Sequence, residues 1–135
     1  MKVSHSLDPH AYHASIIVAG TRKYANVREF ESYLEDYLSL FSCKALLISG
    51  AAHSGADRMV IEYGQRRDIP VLEVPANWDR DGRAAGYIRN DVMAKLATHL
   101  LVFWDGKSKG TDHMIRSAAK RNLHTTVIIV DIPPK

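Results

Sequence analysis

The stretch Leu100-Leu101-Val102-Phe103-Trp104-Asp105-Gly106-Lys107-Ser108-Lys109-Gly110-Thr111 decides the fold. Its apolar first part predicts a buried strand, and its polar second part, which contains two glycines, predicts a turn. A helical pattern follows, with apolar residues at Met114, Ile115, Ala118 and Ala119. Glycines at a strand-to-helix junction let the backbone approach a ligand closely, and the amides that open the helix favour an anion. The stretch therefore predicts a strand, an anion-binding turn and a helix in succession.

Two other junctions have the same character. Ala19-Gly20-Thr21-Arg22 follows a run rich in β-branched residues, and Ser49-Gly50-Ala51-Ala52-His53-Ser54-Gly55-Ala56-Asp57-Arg58 follows a second apolar run. Three glycine-bearing turns between strands and helices in one small chain indicate a phosphate-binding rim.

Strands and helices alternate along the chain. Apolar runs predict strands over 14–19, 45–49, 69–74, 99–104 and 124–130, and helical spacing predicts helices over 26–42, 55–67, 83–98 and 111–121. Strands that are apolar on both faces belong to a parallel sheet covered by helices on each side. We therefore predict an α/β fold, a single doubly wound three-layer domain with a mainly parallel five-stranded sheet, Rossmann-like. Right-handed crossovers then bring every strand-to-helix loop to one edge, where ligands of such sheets bind.

The predicted helices carry apolar stripes and capping residues. The stripe of the first helix is predicted to consist of Val27, Phe30, Leu34, Leu38 and Phe41. The stripe of the third is predicted to consist of Ala85, Ile88, Val92 and Leu96. Asn26 and Glu29 have the spacing of a capping pair, and Ser54 and Asp57 stand in position to cap the second helix. Residues 77–82 are polar and predict a loop.

Length and composition fit one compact domain. The chain has 135 residues, of which 46% are hydrophobic and 24% charged, as in an ordinary globular protein. Residues 1–13 are polar and aperiodic and predict a flexible N-terminal arm, so the predicted domain spans residues 14–135.

Charge and hydropathy restrict the partners. The net charge of +3 suits an anionic small molecule and is too small to indicate nucleic acid. His5, His10 and His13 match no strong metal-ligand spacing, and the single Cys43 is predicted to be a buried, unreactive thiol. No apolar stretch is long enough to span a bilayer, and residues 1–13 lack the apolar core of a signal peptide. We therefore expect a cytoplasmic protein with no membrane partner.

The polar residues of the predicted edge suit a ligand with phosphate and aromatic ends. Arginine makes bidentate contacts with phosphate, and the face of a tryptophan stacks on a base. Trp104 stands at a strand end and is expected in the core, whereas Trp78 lies in a polar segment and is a candidate for base stacking. No catalytic residue, metal ligand or cofactor is predicted. The predicted ligand-binding residues are Gly20, Thr21, Arg22, Gly50, Ala51, Ser54, Gly55, Asp57, Arg58, Trp78, Arg89, Asn90, Asp105, Gly106, Lys107, Ser108, Gly110 and Thr111.

Two familiar nucleotide-binding motifs are absent from the sequence. Gly106-Lys107-Ser108 lacks the preceding glycine that a Walker loop requires, and Gly20-Thr21-Arg22 holds only one glycine of a dinucleotide fingerprint. Any likeness to a standard NAD-binding half is therefore one of architecture.

Taken together, the motifs resemble those of the SLOG superfamily, a Rossmann-like group that includes the Lonely Guy, DprA/Smf and YpsA-like proteins. The chain is most similar to the small stand-alone YspA/YpsA-related branch, often encoded by phages and bacteria. The resemblance rests on the three junctions quoted above, on Pro75-Ala76-Asn77-Trp78-Asp79 and on Gly82-Arg83-Ala84-Ala85-Gly86-Tyr87-Ile88-Arg89-Asn90. It spans nearly all of the chain beyond the arm. It implies that a nucleotide or a nucleotide-derived ligand binds at the glycine-rich turns.

One departure from the Lonely Guy pattern bears on mechanism. Those enzymes cleave the N-glycosidic bond of a nucleoside monophosphate and carry Gly-Gly-x-Gly-Thr-x-x-Glu. Here Gly110-Thr111 matches the end of the glycine run, but Met114 stands where the glutamate would be. A thioether takes up no proton, so the acid is missing. Arg89-Asn90 followed by Met93 resembles the Arg-Lys-x-x-Met segment of the same enzymes, which implies a phosphate-facing arginine.

Three functions stay open at the level of sequence. The first is binding of a nucleotide-derived anion, of the ADP-ribose or cyclic-nucleotide type. The second is a nucleotide N-glycosidase or phosphoribohydrolase in which Asp57, Asp79 or Asp105 replaces the glutamate. The third, DNA binding in the manner of DprA, is ranked last because no stripe of basic and aromatic residues is visible.

A homodimer is also predicted. Related folds pair through helices, and an aromatic surface suits such pairing. The residues predicted to form that surface are Tyr33, Tyr37 and Tyr63.

Overall fold

A computed structural model describes residues 7–41 and 44–133 of the chain. The strands are β1 (Ala14–Gly20), β2 (Ala45–Ser49), β3 (Val71–Glu73), β4 (His99–Trp104) and β5 (His124–Ile129). The helices are α1 (Val27–Leu38), α2 (Gly55–Arg67), α3 (Trp78–Asp81), α4 (Ala85–Leu96) and α5 (Lys109–Lys120). The predictions for His5, Cys43 and the first six residues of the arm lie outside the described residues.

The five strands form one sheet in the order β3-β2-β1-β4-β5, and every neighbouring pair is parallel. The predicted Rossmann-like α/β fold is thus confirmed, with a wholly parallel sheet. Growth of the sheet reverses between β1 and β4, because β2 and β3 are added on one side of β1 and β4 and β5 on the other. Such a reversal is where open α/β sheets leave a crevice at the carboxyl ends of their strands.

Two apolar clusters hold the layers together, one on each face of the sheet. On one face α1 and α2 pack against residues such as Ile16, Val18 and Phe103. On the other face α4 and α5 pack against residues such as Ile17 and Val102. Because both faces of the central strands are covered, Ile16, Ile17 and Val18 are all fully buried although they are consecutive.

The first helix begins as predicted and ends earlier. Asn26 caps α1, because its side chain accepts a hydrogen bond from the backbone N–H of Glu29 at 3.1 Å. The helix ends at Leu38, before the predicted residue 42, because the amides of Leu40 and Phe41 bond three residues back and tighten the chain into a turn. Val27 was predicted to face the core but is 46% exposed.

The apolar stripe predicted for the third helix is wrong in part. Ile88 and Val92 of α4 are 41% and 40% exposed, while Asn90 and Met93 are buried. The physical reason is a polar contact: the side chain of Asn90 donates a hydrogen bond to the carbonyl of Gly110, which turns that side of the helix inward. Apolar periodicity treats an asparagine such as Asn90 as a solvent-facing residue, so the pattern predicted the wrong side of α4 to be buried.

Several predicted boundaries and caps are corrected by the structure. Residues 78–81 form the short helix α3, where a loop was predicted, because Asn77 caps it by accepting the N–H of Arg80 at 3.0 Å. Ser54 makes no side-chain cap of α2. The α5 helix begins at Lys109, two residues earlier than predicted. The outermost strand β5 ends at Ile129, one residue before the predicted end, and Ile129 is 65% exposed.

The tyrosines predicted to form a dimer surface have different environments. Tyr37 and Tyr63 are buried in the cluster beneath α1 and α2, so they close the core and offer no surface. Tyr33 is 45% exposed. The homodimer itself stays a prediction.

The described part of the arm contacts the domain. Pro9–Ala11 forms a single 3₁₀ turn, and the hydroxyl of Ser15 donates a hydrogen bond to the carbonyl of Pro9 at 2.9 Å. Leu7 and Tyr12 pack against the cluster beneath α4 and α5. Among the described helices, none combines the length and apolar character needed to cross a bilayer.

The end of α2 lies close to β3 at Gly64. A Cβ atom at this position would lie 2.5 Å from a methyl of Val71 and 2.8 Å from the carbonyl of Ile69. The glycine therefore lets helix and strand approach to a distance that no side chain permits.

We expect Gly64→Ala to lower the free energy of unfolding by about 1 kcal/mol or more, because overpacking outweighs the gain of about 1 kcal/mol that alanine brings to a helix. Urea unfolding followed by circular dichroism measures the change. The neighbouring Gln65→Ala, at an exposed site on the same turn, serves as the control and should be near neutral. Stabilisation by Gly64→Ala would contradict the close packing.

Candidate ligand-binding site

A cavity of about 520 Å³ opens at the carboxyl edge of the sheet. Residues that follow β1 and residues that follow β4 line it, together with one side of α4 and the first turn of α5. These are the two strands between which the sheet reverses its direction of growth. The cavity therefore occupies the position at which doubly wound sheets bind their ligands.

Thr21 fastens the two central loops to each other. Its backbone N–H bonds to the carbonyl of Phe103 at 2.9 Å, and its hydroxyl oxygen accepts the N–H of Asp105 at 3.2 Å. The same hydroxyl lies 3.5 Å from the hydroxyl of Ser108. Thr21 is only 5% exposed, so this wall of the cavity is held by groups that are themselves packed in place.

The turn after β4 is organised by one carboxylate. Asp105 accepts the backbone N–H groups of Lys107 at 2.9 Å and of Ser108 at 2.8 Å. These two hydrogen bonds lower the pKa of Asp105 from its ordinary value. Gly106 has a φ of +82°, which only glycine adopts without strain. Trp104 adds a further hydrogen bond to the turn, since its indole N–H donates to the carbonyl of Ser108 at 3.1 Å.

The first turn of α5 faces the cavity with small and hydroxylated residues. Gly110 and Thr111 line the cavity, and a Cβ atom at Gly110 would meet no other atom within 4 Å. Ser108 precedes the helix without a side-chain cap, and its hydroxyl lies 3.1 Å from that of Thr111. The amides of a first helical turn have no partner within the helix, so they favour an anion at this point.

The junction after β2 is packed instead of open. The hydroxyl of Ser49 donates to the carbonyl of Asp57 at 2.8 Å and accepts the N–H of Ala51 at 3.1 Å. Gly55 has a φ of +71°, and a Cβ atom there would lie 2.6 Å from the carbonyl of Thr21. The start of α2 therefore lies directly beneath the loop that follows β1, with no space for a ligand between them.

A buried carboxyl and a half-buried guanidinium stand side by side in the cavity. Asp57 is 8% exposed, and it accepts the N–H of Ala52 at 3.2 Å. Burial raises the pKa of Asp57, although the nearby Arg89 and Arg22 oppose the shift. Burial likewise lowers the pKa of Arg89, which Asp57 opposes. An arginine remains charged under such a shift, so the two residues bring a guanidinium cation and a buried carboxyl group to the cavity.

Two aromatic side chains stand at the opening. Trp78 is 52% exposed, with the guanidinium carbon of Arg22 at 6.0 Å from the centre of its ring. Tyr87 is 45% exposed and stacks on His113 with 4.3 Å between ring centres. Gly86 lies beside Trp78, where a Cβ atom would be 3.6 Å from the indole. An exposed indole on a cavity wall offers a flat surface to a base.

Basic side chains outnumber acidic ones along the walls. Arg22, Lys23, Arg83, Arg89 and Lys107 all line the cavity, and the acidic groups among the lining residues are Asp57 and Asp105. The cavity is therefore electropositive, which favours an anionic ligand. No group of three or more potential metal ligands occurs within residues 7–41 and 44–133.

The structure brings twelve of the eighteen predicted residues to this cavity. They are Gly20, Thr21, Arg22, Asp57, Trp78, Arg89, Asn90, Asp105, Lys107, Ser108, Gly110 and Thr111. Six others do not line it: Gly50, Ala51, Ser54, Gly55, Arg58 and Gly106. Four of those six belong to the packed junction after β2, and Arg58 pairs with Glu62 on the surface at 3.0 Å.

Sequence reasoning missed most of the wall that α4 supplies. Arg83, Gly86, Tyr87 and Met93 line the cavity together with Lys23, Ala52 and the buried Met114. The spacing of Arg83, Gly86, Tyr87 and Asn90 is helical, so a search for a polar stripe on this helix would have found them.

The fold and the cavity define a Rossmann-like α/β protein with an electropositive cavity at its topological switch point. Comparison with family models then places it more narrowly. Residues 14–80 match the model described as YAcAr, the YspA, cpYpsA-related SLOG family, and the chain belongs to that family. The match runs from β1 into α3 and includes the first two glycine-bearing junctions and Trp78. No curated protein matches the chain.

The lowered pKa of Asp105 predicts a contribution to stability at neutral pH. Since the folded pKa lies below the ordinary value of 3.8, this contribution is complete above that pH and is lost as the pH falls through the folded value. Asp105→Asn, which keeps a hydrogen-bond acceptor and removes the charge, should lose it. The difference in unfolding free energy between wild type and variant should therefore shrink with acidification.

An NMR titration of the Asp105 carboxyl carbon checks the same point directly. Its midpoint should lie below 3.8. A midpoint at or above that value would show that the turn is not held by the charged carboxylate.

Proposed function

We propose that this protein binds a nucleotide or a nucleotide-derived phosphate ligand, of the ADP-ribose or cyclic-nucleotide type, in the cavity at the carboxyl edge of its sheet. SLOG domains bind nucleotide-derived ligands, and membership of that group supports the ligand class. The observation that carries the proposal is the convergence, in one cavity, of an open helix N-terminus, five basic side chains and an exposed indole. A nucleotide has the two chemical ends that such a cavity complements.

The phosphate end is assigned to the α5 side of the cavity. The amides that open α5 and the hydroxyls of Ser108 and Thr111 lie together there, and the loop after β1 adds Thr21. Hydroxyl and amide donors fixed at a helix N-terminus bind phosphate oxygens without moving. Arg22 and Lys107, both exposed, neutralise the remaining charge.

The base end is assigned to the wall formed by α3 and the start of α4. Trp78 supplies an exposed ring, and Gly86 beside it leaves the space that a side chain would fill. Stacking on an aromatic side chain contributes about 1–3 kcal/mol per base and tolerates different bases. The wall therefore favours nucleotides over inorganic phosphates and does not by itself choose among bases.

Binding without hydrolysis fits the residues better than N-glycosidase activity. Met114, at the position of the Lonely Guy glutamate, lines the cavity and is 1% exposed, so an apolar group occupies the place of the acid. Two of the three aspartates considered as replacements are disfavoured, the first being Asp79, which does not line the cavity. Asp105 already accepts two backbone N–H groups. Release of free adenine from AMP would contradict this choice and favour the N-glycosidase hypothesis instead.

Calorimetry with AMP, ADP, ADP-ribose and cyclic AMP tests the proposal. We expect at least one of them to bind with a dissociation constant below about 1 mM, which corresponds to about 4 kcal/mol. Gly110→Asp should weaken that binding about tenfold or more, because a carboxylate then faces the phosphate. Asn122→Asp adds the same charge beyond the other end of α5 and serves as the control. Absence of binding by all four nucleotides would refute the proposal.

The base end has its own test in Trp78. We expect Trp78→Ala to weaken AMP or ADP-ribose binding about tenfold, from the loss of one stacking contact, and Trp78→Phe to retain most of it. Inorganic pyrophosphate, which has no base, should bind equally to wild type and both variants. Equal binding of the nucleotides to wild type and Trp78→Ala would place the base elsewhere in the cavity.

A further inference from the structure

Arg89 differs from the other basic residues of the cavity in being fixed. Its Nε–H donates to the side-chain oxygen of Asn90 at 3.0 Å, and one Nη1–H donates to the backbone carbonyl of Gly50. A guanidinium has five N–H donors, and these two hydrogen bonds, among the described residues, leave three. Arg22, Lys23, Arg83 and Lys107 are exposed, whereas Arg89 is half-buried. Arg89 is therefore the one of these five cations that is held in place by hydrogen bonds and still has N–H donors available.

Gly50 makes room for this guanidinium. A Cβ atom at Gly50 would lie 2.6 Å from Nη1 of Arg89 and 2.8 Å from Oδ2 of Asp57. Both groups thus border the space that a side chain at this position would fill. Gly50 shows no positive φ, so its requirement here is one of space and not of backbone conformation.

Asp57 supplies the opposite charge. Its buried carboxyl borders the same space at Gly50 as the guanidinium of Arg89, and it is itself held by the N–H of Ala52 and by its place in the first turn of α2. A half-buried cation loses part of its hydration, and a fixed counter-charge compensates that loss. Asn90 links Arg89 to the first turn of α5. Its side-chain oxygen accepts the Nε–H of Arg89, and its side-chain nitrogen donates to the carbonyl of Gly110.

We propose that Asp57 and Gly50 are positioning residues that hold the Arg89 guanidinium on the cavity wall, with its remaining N–H donors directed at the phosphate of a bound nucleotide. This inference rests on the proposed function for the identity of the ligand and goes beyond it in giving Asp57 a role. A fixed guanidinium binds two oxygens of one phosphate at once, which a lysine cannot do. Arg89 is then the pre-organised cation of the site, and the four exposed basic residues add charge only.

The two roles open to Asp57 predict opposite signs for one substitution. If the carboxylate acts only through its charge, it repels an anionic ligand, and Asp57→Asn tightens binding. If it holds Arg89 in place, Asp57→Asn frees the guanidinium and weakens binding, because the ordering of a long side chain must then accompany binding. The sign of the change distinguishes the two.

The test is calorimetry of ADP-ribose and of inorganic pyrophosphate with Asp57→Asn, Gly50→Ala and Arg89→Lys. We expect about tenfold weaker binding of both probes in all three variants. Asp68→Asn, the same chemical change at an exposed site after the end of α2, is the matched control and should leave binding unchanged. Tighter or equal binding by Asp57→Asn would overturn the proposal.

A second readout reports on Arg89 without any ligand. In the ¹⁵N spectrum of the free protein, we expect the Nε–H of Arg89, assigned by its absence in Arg89→Lys, to exchange slowly with water and to be rigid. Gly50→Ala and Asp57→Asn should make it exchange as fast as the Nε–H of an exposed arginine such as Arg22. Fast exchange in the wild type would also overturn the proposal.

The two readouts separate the inference from the function on which it rests. If neither probe binds and the Arg89 signal is rigid in the wild type and lost in the variants, the positioning role stands and the proposed function fails. Thermal unfolding confirms that each variant is folded. Should Asp57→Asn fail to fold, Gly50→Ala carries the test with the same expected results, because it displaces the guanidinium and leaves every charge in place.

Discussion

The pairing of β1 with β4 is the contact on which the rest of the molecule depends. Five residues of each strand are in register, and the N–H of Thr21 extends the pairing to the carbonyl of Phe103. The chain adds β2 and β3 on one side of this pair and β5 on the other, so the helices divide between the two faces. Loops from opposite faces then diverge above β1 and β4, and the space between them is the cavity. Without this pairing there is neither a central strand nor a site.

The site combines two kinds of positive charge that serve different purposes. Exposed residues such as Arg22 and Lys107 remain hydrated, so they add charge at little cost but without defined geometry. Arg89 is partly buried, and its guanidinium donates to the side-chain oxygen of Asn90 and to the carbonyl of Gly50, with the carboxyl of Asp57 nearby. A group that is already ordered and dehydrated binds with less loss of freedom. The buried Asp57 in a cavity lined mostly by basic residues is consistent with this division, because the proposed role of its carboxyl is to position the guanidinium of Arg89.

Predictions from local sequence patterns were most accurate where apolar periodicity and the residues at the two ends of an element indicated the same bounds. The α2 helix has the predicted bounds because an apolar pattern runs between two residues, Gly55 and Arg67, that mark its ends. The orientation of α4 was predicted wrongly, because Asn90 is buried by a hydrogen bond to Gly110, twenty residues away in the chain. The helical cap of Asn77 was missed in a segment whose polar composition is also typical of a loop. Both of these errors come from an asparagine whose hydrogen-bond partner decides its environment.

The sequence by itself determined the order of strands and helices, the parallel sheet and the edge at which the glycine-bearing turns gather. These features follow from periodicity and chain handedness, which are properties of neighbouring residues. Only the tertiary structure decided which turn opens to the cavity and which is packed. The start of α5 faces free space at Gly110, whereas the start of α2 lies against the carbonyl of Thr21 at Gly55. The two turns look alike in sequence, and they differ because the distance between separate loops is set by how the whole sheet and its helices pack.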